Sequence, residues 1–241
     1  MKLALAQVKP VPGYLAANRE RHLVLAEEAL LAGADAIVFP VLSLSGYEPG
    51  LAAIHALSVD DPFLDPFQEL SDRSGLVIGT GAPAKSESGV YIGLFFFQPG
   101  KPRQLYTKKY LHPDEESFFL PGTAQADVYV GTEKLIPAIC YEISVPAHAE
   151  EALSGERGVY VASVAKTQKG MDNAGIRLPE IARQFGVPVA LANCVGPNDD
   201  FVGAGRSGAW TKEGQLAGQL DGERESSLLF DTRTSEIRIL I

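Results

Sequence analysis

The sequence predicts a single mixed α/β domain spanning residues 1–241, and three observations carry that prediction. Strand-length apolar runs alternate with helix-length amphipathic stretches in the first third of the chain. In the middle, strand-like runs follow one another in pairs, so the pattern departs from a strictly doubly wound sheet. The composition, 46% apolar and 21% charged over 241 residues, supplies a full core, and no repeat, low-complexity tract or compositional break marks a second domain.

Leu3 to Val8 reads as a strand that Pro10, Pro12 and Gly13 end. The following "NRERHLVLAEEALLAGA" predicts a helix with Asn18 as its cap, Leu23, Ala26 and Leu30 on one face and Gly33 just past its end; His22 is expected on its surface. "AIVFP" is a buried strand, and the loop from Leu42 to Gly50 leaves its carboxyl end, where chemistry gathers in α/β folds. "LDPFQELSDRSG" predicts a helix closed by Gly75, and "LVIGTGAP" the next strand and turn. "GVYIGLFFFQPGKPRQLYTKKYL" predicts two strands joined at Pro99 to Lys101, the second ending at Lys108 to Leu111, with Phe95 to Phe97 in the core or at a subunit interface.

"HPDEESFFLPG" is a polar loop with a short apolar insert, after which "ADVYV" and "KLIPAIC" resume strands around Gly131 and Thr132. "PAHAEEALSG" predicts a short helix and "GVYVASVA" a buried strand. In "GIRLPEIARQFGV" a helix is expected to kink or start late at Pro179. "PVALANCVG", "RSGAWTKEGQLAGQL" and "SSLLFDTRTSEIRIL" complete the strands.

Several function classes drop out at this level. A net charge of -9 and a pI near 5.0, with scattered Lys and Arg, repel phosphate backbones, so nucleic acid is a poor partner. No apolar run approaches the roughly 18 residues of a membrane span, and the amino-terminal run is too short for a signal sequence, so a soluble cytoplasmic protein is expected. The two cysteines, Cys140 and Cys194, fit reduced thiols, although one bridge between them remains open. "GTGAP" and "GAGRSGAW" lack the spacing of a phosphate loop or dinucleotide fingerprint, and the histidines are too dispersed for zinc; no metal and no cofactor are expected.

Chemistry concentrates at two strand ends. Cys140 ends "KLIPAIC", where a thiol can face a pocket while neighbouring N–H groups point at a developing oxyanion; an ordinary buried cysteine is the alternative. His112 and His148 are each candidates to meet it in space. Lys108 and Lys109 stand beside Tyr106, Tyr110 and the acidic "DEE", either as a lysine held protonated to stabilise negative charge or as a solvent-facing salt-bridged loop.

Taken together, "FPVLSLSGYEP", "YTKKYL" and "ICYEISVP", in order and at fitting separations, resemble the nitrilase superfamily of carbon-nitrogen hydrolases, with support from "ALAQ", "DEESFFLPG" and "ARQFGVPVALANCVG". The resemblance runs through nearly the whole chain and implies one carbon-nitrogen hydrolase domain built as a four-layer α-β-β-α sandwich, commonly a homodimer. By position it makes Cys140 the nucleophile, Lys108 the lysine that stabilises the oxyanion, the Tyr141 N–H a second oxyanion donor, Glu115 the glutamate that positions the lysine or leaving group, and Glu142 an acidic residue orienting the elbow.

Where the superfamily has its general base, a Glu after Phe-Pro, this chain has Val41. The implied reaction is hydrolysis of a non-peptide linear amide through a thioester, with turnover impaired because an isopropyl group accepts no proton. Glu48 and Glu115 are the carboxylates available as substitutes; the competing reading is a catalytically silent homologue that binds a small amide or carboxylate, or a partner protein. An acyltransferase is the weakest alternative. Val145-Pro146 in place of Phe-Pro is expected to shorten the wall behind the nucleophile, and Cys194 to serve packing.

Overall fold

The structure, a computed structural model, describes residues 1–155 and 157–240. In chain order its elements are β1 (Lys2–Gln7), α1 (Leu15–Leu31), β2 (Ala36–Val38), α2 (Ala52–His55), α3 (Asp65–Ser74), β3 (Val77–Ser86), β4 (Gly89–Phe97), β5 (Gln104–Thr107), β6 (Val128–Val130) and β7 (Glu133–Ile139). There follow α4 (Pro146–Ala152), β8 (Gly158–Val164), α5 (Gln168–Phe185), β9 (Val189–Asn193), β10 (Val195–Asn198), β11 (Phe201–Ala204), β12 (Gly208–Trp210), β13 (Leu216–Gln219), β14 (Ser226–Asp231) and β15 (Ile237–Leu240). Among the described residues the strands form a seven-stranded sheet in the order β15-β14-β1-β2-β3-β4-β5, a six-stranded sheet in the order β13-β12-β9-β8-β7-β6, and a separate β10–β11 hairpin.

The period-two alternation of strand side chains decides the layering. Leu3 and Leu5 of β1, Phe96 of β4, Ile139 of β7 and Val159 and Val161 of β8 point into one apolar layer between the two sheets. Ala4 and Ala6, Phe95 and Phe97 take the opposite face and pack on Leu25, Ala26 and Ala29 of α1 and Phe67 and Leu70 of α3. Tyr160 and Ala162 of β8 meet Met171, Leu178 and Ile181 of α5 on the outside of the second sheet. Three apolar layers between four layers of structure make an α-β-β-α sandwich, as the resemblance implied. The three phenylalanines are core residues, at 0%, 1% and 0% exposure.

Three local expectations give way to tertiary contacts. Asn18 does not cap α1, whose first flanking residue is Tyr14; its amide instead bonds both polar groups of the Val11 backbone and the Leu44 carbonyl. His22 is not on the surface but 1% exposed and stacked 4.1 Å from Phe39. Its Nδ1 lies 2.6 Å from the Asn18 carbonyl and its Nε2 2.8 Å from Ser43 Oγ, so Nδ1 carries the proton and Nε2 accepts from the serine. Burial lowers its pKa to about 3.

Pro179 neither kinks α5 into two elements nor delays it: the helix starts at Gln168 and runs through to Phe185. The carbonyl that loses its donor belongs to Gly175, which is exposed, while Ala174, Leu178, Ile181 and Ala182 pack on the sheet. Apolar burial there outweighs the roughly 3 kcal/mol of an interior proline. No described helix is long and apolar enough to cross a membrane.

Candidate active site

Each segment that builds the site leaves the carboxyl end of a strand: Phe39 to Tyr47 after β2, Lys108 to Glu115 after β5, Cys140 after β7 and Ala165 to Thr167 after β8. Cys140 is the sharpest of these turns. Its φ is +47°, left-handed for a residue with a side chain, and it opens a one-turn helical segment from Cys140 to Ser144. That conformation costs about 1 kcal/mol or more and has to be imposed by surrounding contacts.

Glu142 supplies them. Its carboxylate is fully buried and accepts from the backbone N–H of Ile139 (2.7 Å) and of Lys109 (2.6 Å), and from the Tyr106 hydroxyl (2.8 Å). One carboxylate therefore staples the residue before Cys140 to the residue after Lys108. Behind it, His148 Nε2 sits 2.8 Å from the Tyr106 oxygen and 3.4 Å from Glu142, with Nδ1 2.9 Å from the Tyr160 hydroxyl. Burial lowers the His148 pKa, so the neutral ring passes one hydrogen bond along from Tyr160 to Tyr106. His148 thus supports the elbow from behind and does not line the cavity in front of the sulfur, whereas His112 does.

Lys108 lies just beyond β5, not inside that strand, and has no exposed side chain, which removes the solvent-facing alternative. Its ammonium donates to both oxygens of Glu115, at 2.7 and 2.5 Å. Glu115, 1% exposed, also accepts from the His112 N–H (2.7 Å) and the Tyr47 hydroxyl (2.7 Å). Burial, with Cys140 and Glu115 beside it, pushes the Tyr47 phenol far up, so it remains protonated. Loop closure here needs a glycine: a Cβ on Gly122 would lie 2.2 Å from Thr107 Oγ1, while its N–H bonds the Lys108 carbonyl at 2.7 Å.

A cavity of about 320 Å³ opens in front of the half-buried Cys140, with Glu115, Tyr47, Tyr141, Lys166 and Phe201 in its wall. The sulfur lies 3.8 Å from the Ala165 carbonyl. Lys108 reaches this space through Glu115 and is not itself part of the lining. Neither is Val41, 2% exposed and packed in the apolar layer between the sheets against which Cys140 also packs. Its loop rests directly on β3, where a Cβ on Gly81 would come 2.5 Å from the Pro40 carbonyl, and Ser163 Oγ anchors the Phe39 carbonyl at 2.8 Å from the second sheet.

Glu48 turns away and accepts from the Asp199 N–H at 3.0 Å. Val145 leads into α4 and is not part of the cavity wall. Cys194 is buried under Gly203, whose Cβ would meet the sulfur at 2.7 Å, and burial pushes its thiol up to about 12. Both cysteines are free. Among the described residues no three His, Cys, Asp or Glu side chains gather as a metal-binding group.

Sequence reasoning passed over Tyr47, Lys166 and Asn193. The last is fully buried and locks Lys166 from both sides, accepting its N–H at 2.8 Å and donating to its carbonyl at 3.2 Å. Two signals were present: Tyr47 in "SGYEP" and Asn193 in the Asn-x-Val-Gly element. Nothing in sequence joins Lys166 to Cys140.

Among solved structures the chain is similar to an amidase from Nesterenkonia sp. AN1, a nitrilase-superfamily protein seen as a cysteine-to-serine variant (TM-score 0.87, 24% identity, 98% of this chain and 92% of that one). A variant of the same amidase with leucine in place of a glutamate (TM-score 0.85, 24% identity, 95% and 89%) carries the acetamide moiety of fluoroacetamide on its active-site cysteine. Among curated proteins it is 27% identical over 231 residues to the glutamine-dependent NAD(+) synthetase of Acinetobacter baylyi, covering 93% of this chain and 42% of the synthetase. It is 32% identical over 168 residues to the protein called "Hydrolase in pqqF 5'region" of Pseudomonas protegens, covering 67% and 58%. The chain thus spans less than half the length of that synthetase. The family model for carbon-nitrogen hydrolases matches residues 2–238, and the chain belongs to the carbon-nitrogen hydrolase family.

Proposed function

We propose that this chain hydrolyses small linear, non-peptide amides through a thioester on Cys140, with turnover held down by Val41. One arrangement supports the reading above all: a thiol at a strained strand-to-turn junction opens on a cavity walled by Glu115, the carboxylate that grips the buried Lys108 ammonium. The Cys140 sulfur attacks the amide carbon and the carbonyl oxygen takes the displaced electron pair, stabilised by Lys108 and the Tyr141 N–H. Collapse expels ammonia or an amine carrying the proton given up by the thiol, and water then cleaves the thioester to release the acid and restore the thiol.

The thiol proton needs an acceptor that Val41 does not provide, and positioned proton transfer is worth roughly 10²- to 10⁴-fold. Glu115 is a poor substitute because four donor contacts occupy its oxygens. The amidase variant with leucine for glutamate supports the idea that such a cysteine still captures an electrophile. Small primary amides are the substrate class in view, as the acetamide adduct of that amidase and the glutamine dependence of the synthetases suggest. The working form is a cytoplasmic homodimer without a cofactor, its assembly checked by light scattering.

Against an amide panel, Val41→Glu is expected to raise steady turnover at least tenfold, about the lower end of what a positioned base contributes. Cys140→Ala abolishes it. A wild-type protein that already turns over a small amide at about 1 per second, the low end of ordinary enzymes, with dependence on Cys140, overturns the impairment. The second reading, a silent homologue that only binds, is favoured by Val41 itself and stands if Val41→Glu leaves turnover at zero while an amide still shields Cys140 from alkylation.

A further inference from the structure

The residues that hold the back of the Cys140 elbow also wall a second cavity, of about 450 Å³, which Cys140 does not line. Tyr106 and Lys109 reach it from the end of β5, and both grip Glu142, through the Tyr106 hydroxyl at 2.8 Å and the Lys109 backbone N–H at 2.6 Å. His148, Glu151 and Ala152 reach it from one face of α4, three and four residues apart. Lys134 and Ile136 reach it from one face of β7, two residues apart. The hydrogen bonds of its buried floor are complete, because Tyr160, His148, Tyr106 and Glu142 bond one another in series. Its charges stand in two opposed pairs, Lys109 with Glu151 at 2.5 Å and Lys134 with Asp127 at 2.6 Å. Both carboxylates are more than half exposed, so each pair opens at little cost.

We propose that this cavity is a second ligand site, which takes a zwitterionic α-amino acid and, when filled, tightens the elbow that presents Cys140. An anion or a cation alone pairs with one member of each opposed pair and strands the other. A molecule carrying both signs satisfies both members with charge-assisted bonds. Ala126, Ile136 and Ala152 offer an apolar wall to its side chain, and a volume of about 450 Å³, ordinary for a small-molecule site, admits a branched aliphatic one. The link to Cys140 runs through the staple. A ligand resting on Tyr106, His148 and the Lys109 stem restrains the segments that Glu142 joins, and that staple holds the left-handed φ of +47° at Cys140. A firmer staple keeps the thiol in its reactive geometry for more of the time.

The test titrates L-leucine into the intact protein by calorimetry, beside 4-methylpentanoate and 3-methylbutylamine, which keep the side chain and lack the ammonium or the carboxylate. L-Leucine is expected to bind about tenfold more tightly than either, the size of one charge-assisted contact. Lys134→Met and Glu151→Gln each remove that advantage, and Lys134→Arg retains it. The second readout is alkylation of Cys140 by fluoroacetamide, followed by intact mass, in which the C–S bond forms as fluoride leaves and the thiol proton passes to solvent. Saturating L-leucine is expected to raise its rate about fivefold, the low end of coupling between two sites, and to do so in neither Lys134→Met nor Glu151→Gln relative to that variant's own ligand-free rate. No binding, or equal binding of the three molecules, overturns the site. Binding with an unchanged or slower alkylation overturns its link to the elbow. The site needs a reactive thiol but no turnover, so a leucine effect on a protein that hydrolyses no amide upholds it even where the thioester reading fails.

Discussion

Among the described residues two glutamates are buried, Glu115 beyond β5 and Glu142 beyond β7, and they do different work. Glu115 meets a charged partner, Lys108, and looks into the cavity; Glu142 meets backbone N–H groups and a tyrosine and looks into the protein. A carboxylate paired with an ammonium keeps a cation in place behind the cavity wall, and its removal strands that cation. A carboxylate surrounded by backbone donors holds chain segments in register. The comparison teaches that burial and charge alone do not separate a carboxylate that faces a cavity from one that ties chain segments together: the identity of the donors does.

Breaking the Glu115 side is expected to have the larger effect. Lys108→Met leaves Glu115 buried without its cation, which costs about 3–5 kcal/mol for a broken buried pair and removes the proposed oxyanion contact. A urea melt and the Cys140 acylation rate, measured together, are expected to fall in this variant; unchanged stability would mean the pair is solvated. Glu142→Gln comes next, replacing charge-assisted acceptors by one neutral oxygen at about 1.5–3 kcal/mol. Here the sharper readout is fluoroacetamide labelling of Cys140, which should slow if the staple sets the elbow and stay constant if Glu142 serves stability alone.

The smallest effect over the mildly acidic range concerns a buried group kept neutral instead of charged, worth about 2 kcal/mol between pH 6.5 and pH 5. His22 holds the loop that carries Val41, through Ser43, and its folded pKa lies near 3 against about 6.5 in an unfolded chain. Because the unfolded state binds the proton more readily, this contribution is complete above about pH 6.5 and is lost as pH falls from there toward 3, by up to about 1.4 kcal/mol per pH unit. His22→Gln is expected to flatten the loss of denaturant midpoint between pH 7 and pH 5 relative to the wild type. A parallel pair of curves would mean that His22 titrates normally.

Periodicity alone made much of the fold legible. The apolar run from Leu3 marked β1, whose two faces the structure then divides between Leu3 and Leu5 on one side and Ala4 and Ala6 on the other, and Gly75 ended α3 where the sequence said it would. Pro179 misled because its penalty is local and small beside the apolar face of α5. Asn18 and His22 misled for a related reason: four residues apart on one helix face, they are read locally as cap and surface, yet both bond the loop beyond β2.

At the site, the likeness of short motifs to the family's marked Cys140, Lys108, Glu115 and Glu142, of which Cys140 and Lys108 stand at strand ends and Glu115 in the polar loop beyond β5. Those motifs did not say what each side chain would touch. That the Glu142 carboxylate ties the segments of Cys140 and Lys108 together, that Tyr47 bonds Glu115, and that Lys166 lines the cavity beside Cys140 are facts of packing between segments far apart in the chain.

By itself, then, the sequence determined the alternation of strands and helices, the strand ends at which chemistry gathers and the residue types found there, because these follow from local periodicity and turn geometry; the four layers came only through the family resemblance. Only the tertiary structure decided which donors surround each buried charge and which side chains line the cavity before Cys140, because hydrogen bonds and burial between distant segments have no local signature.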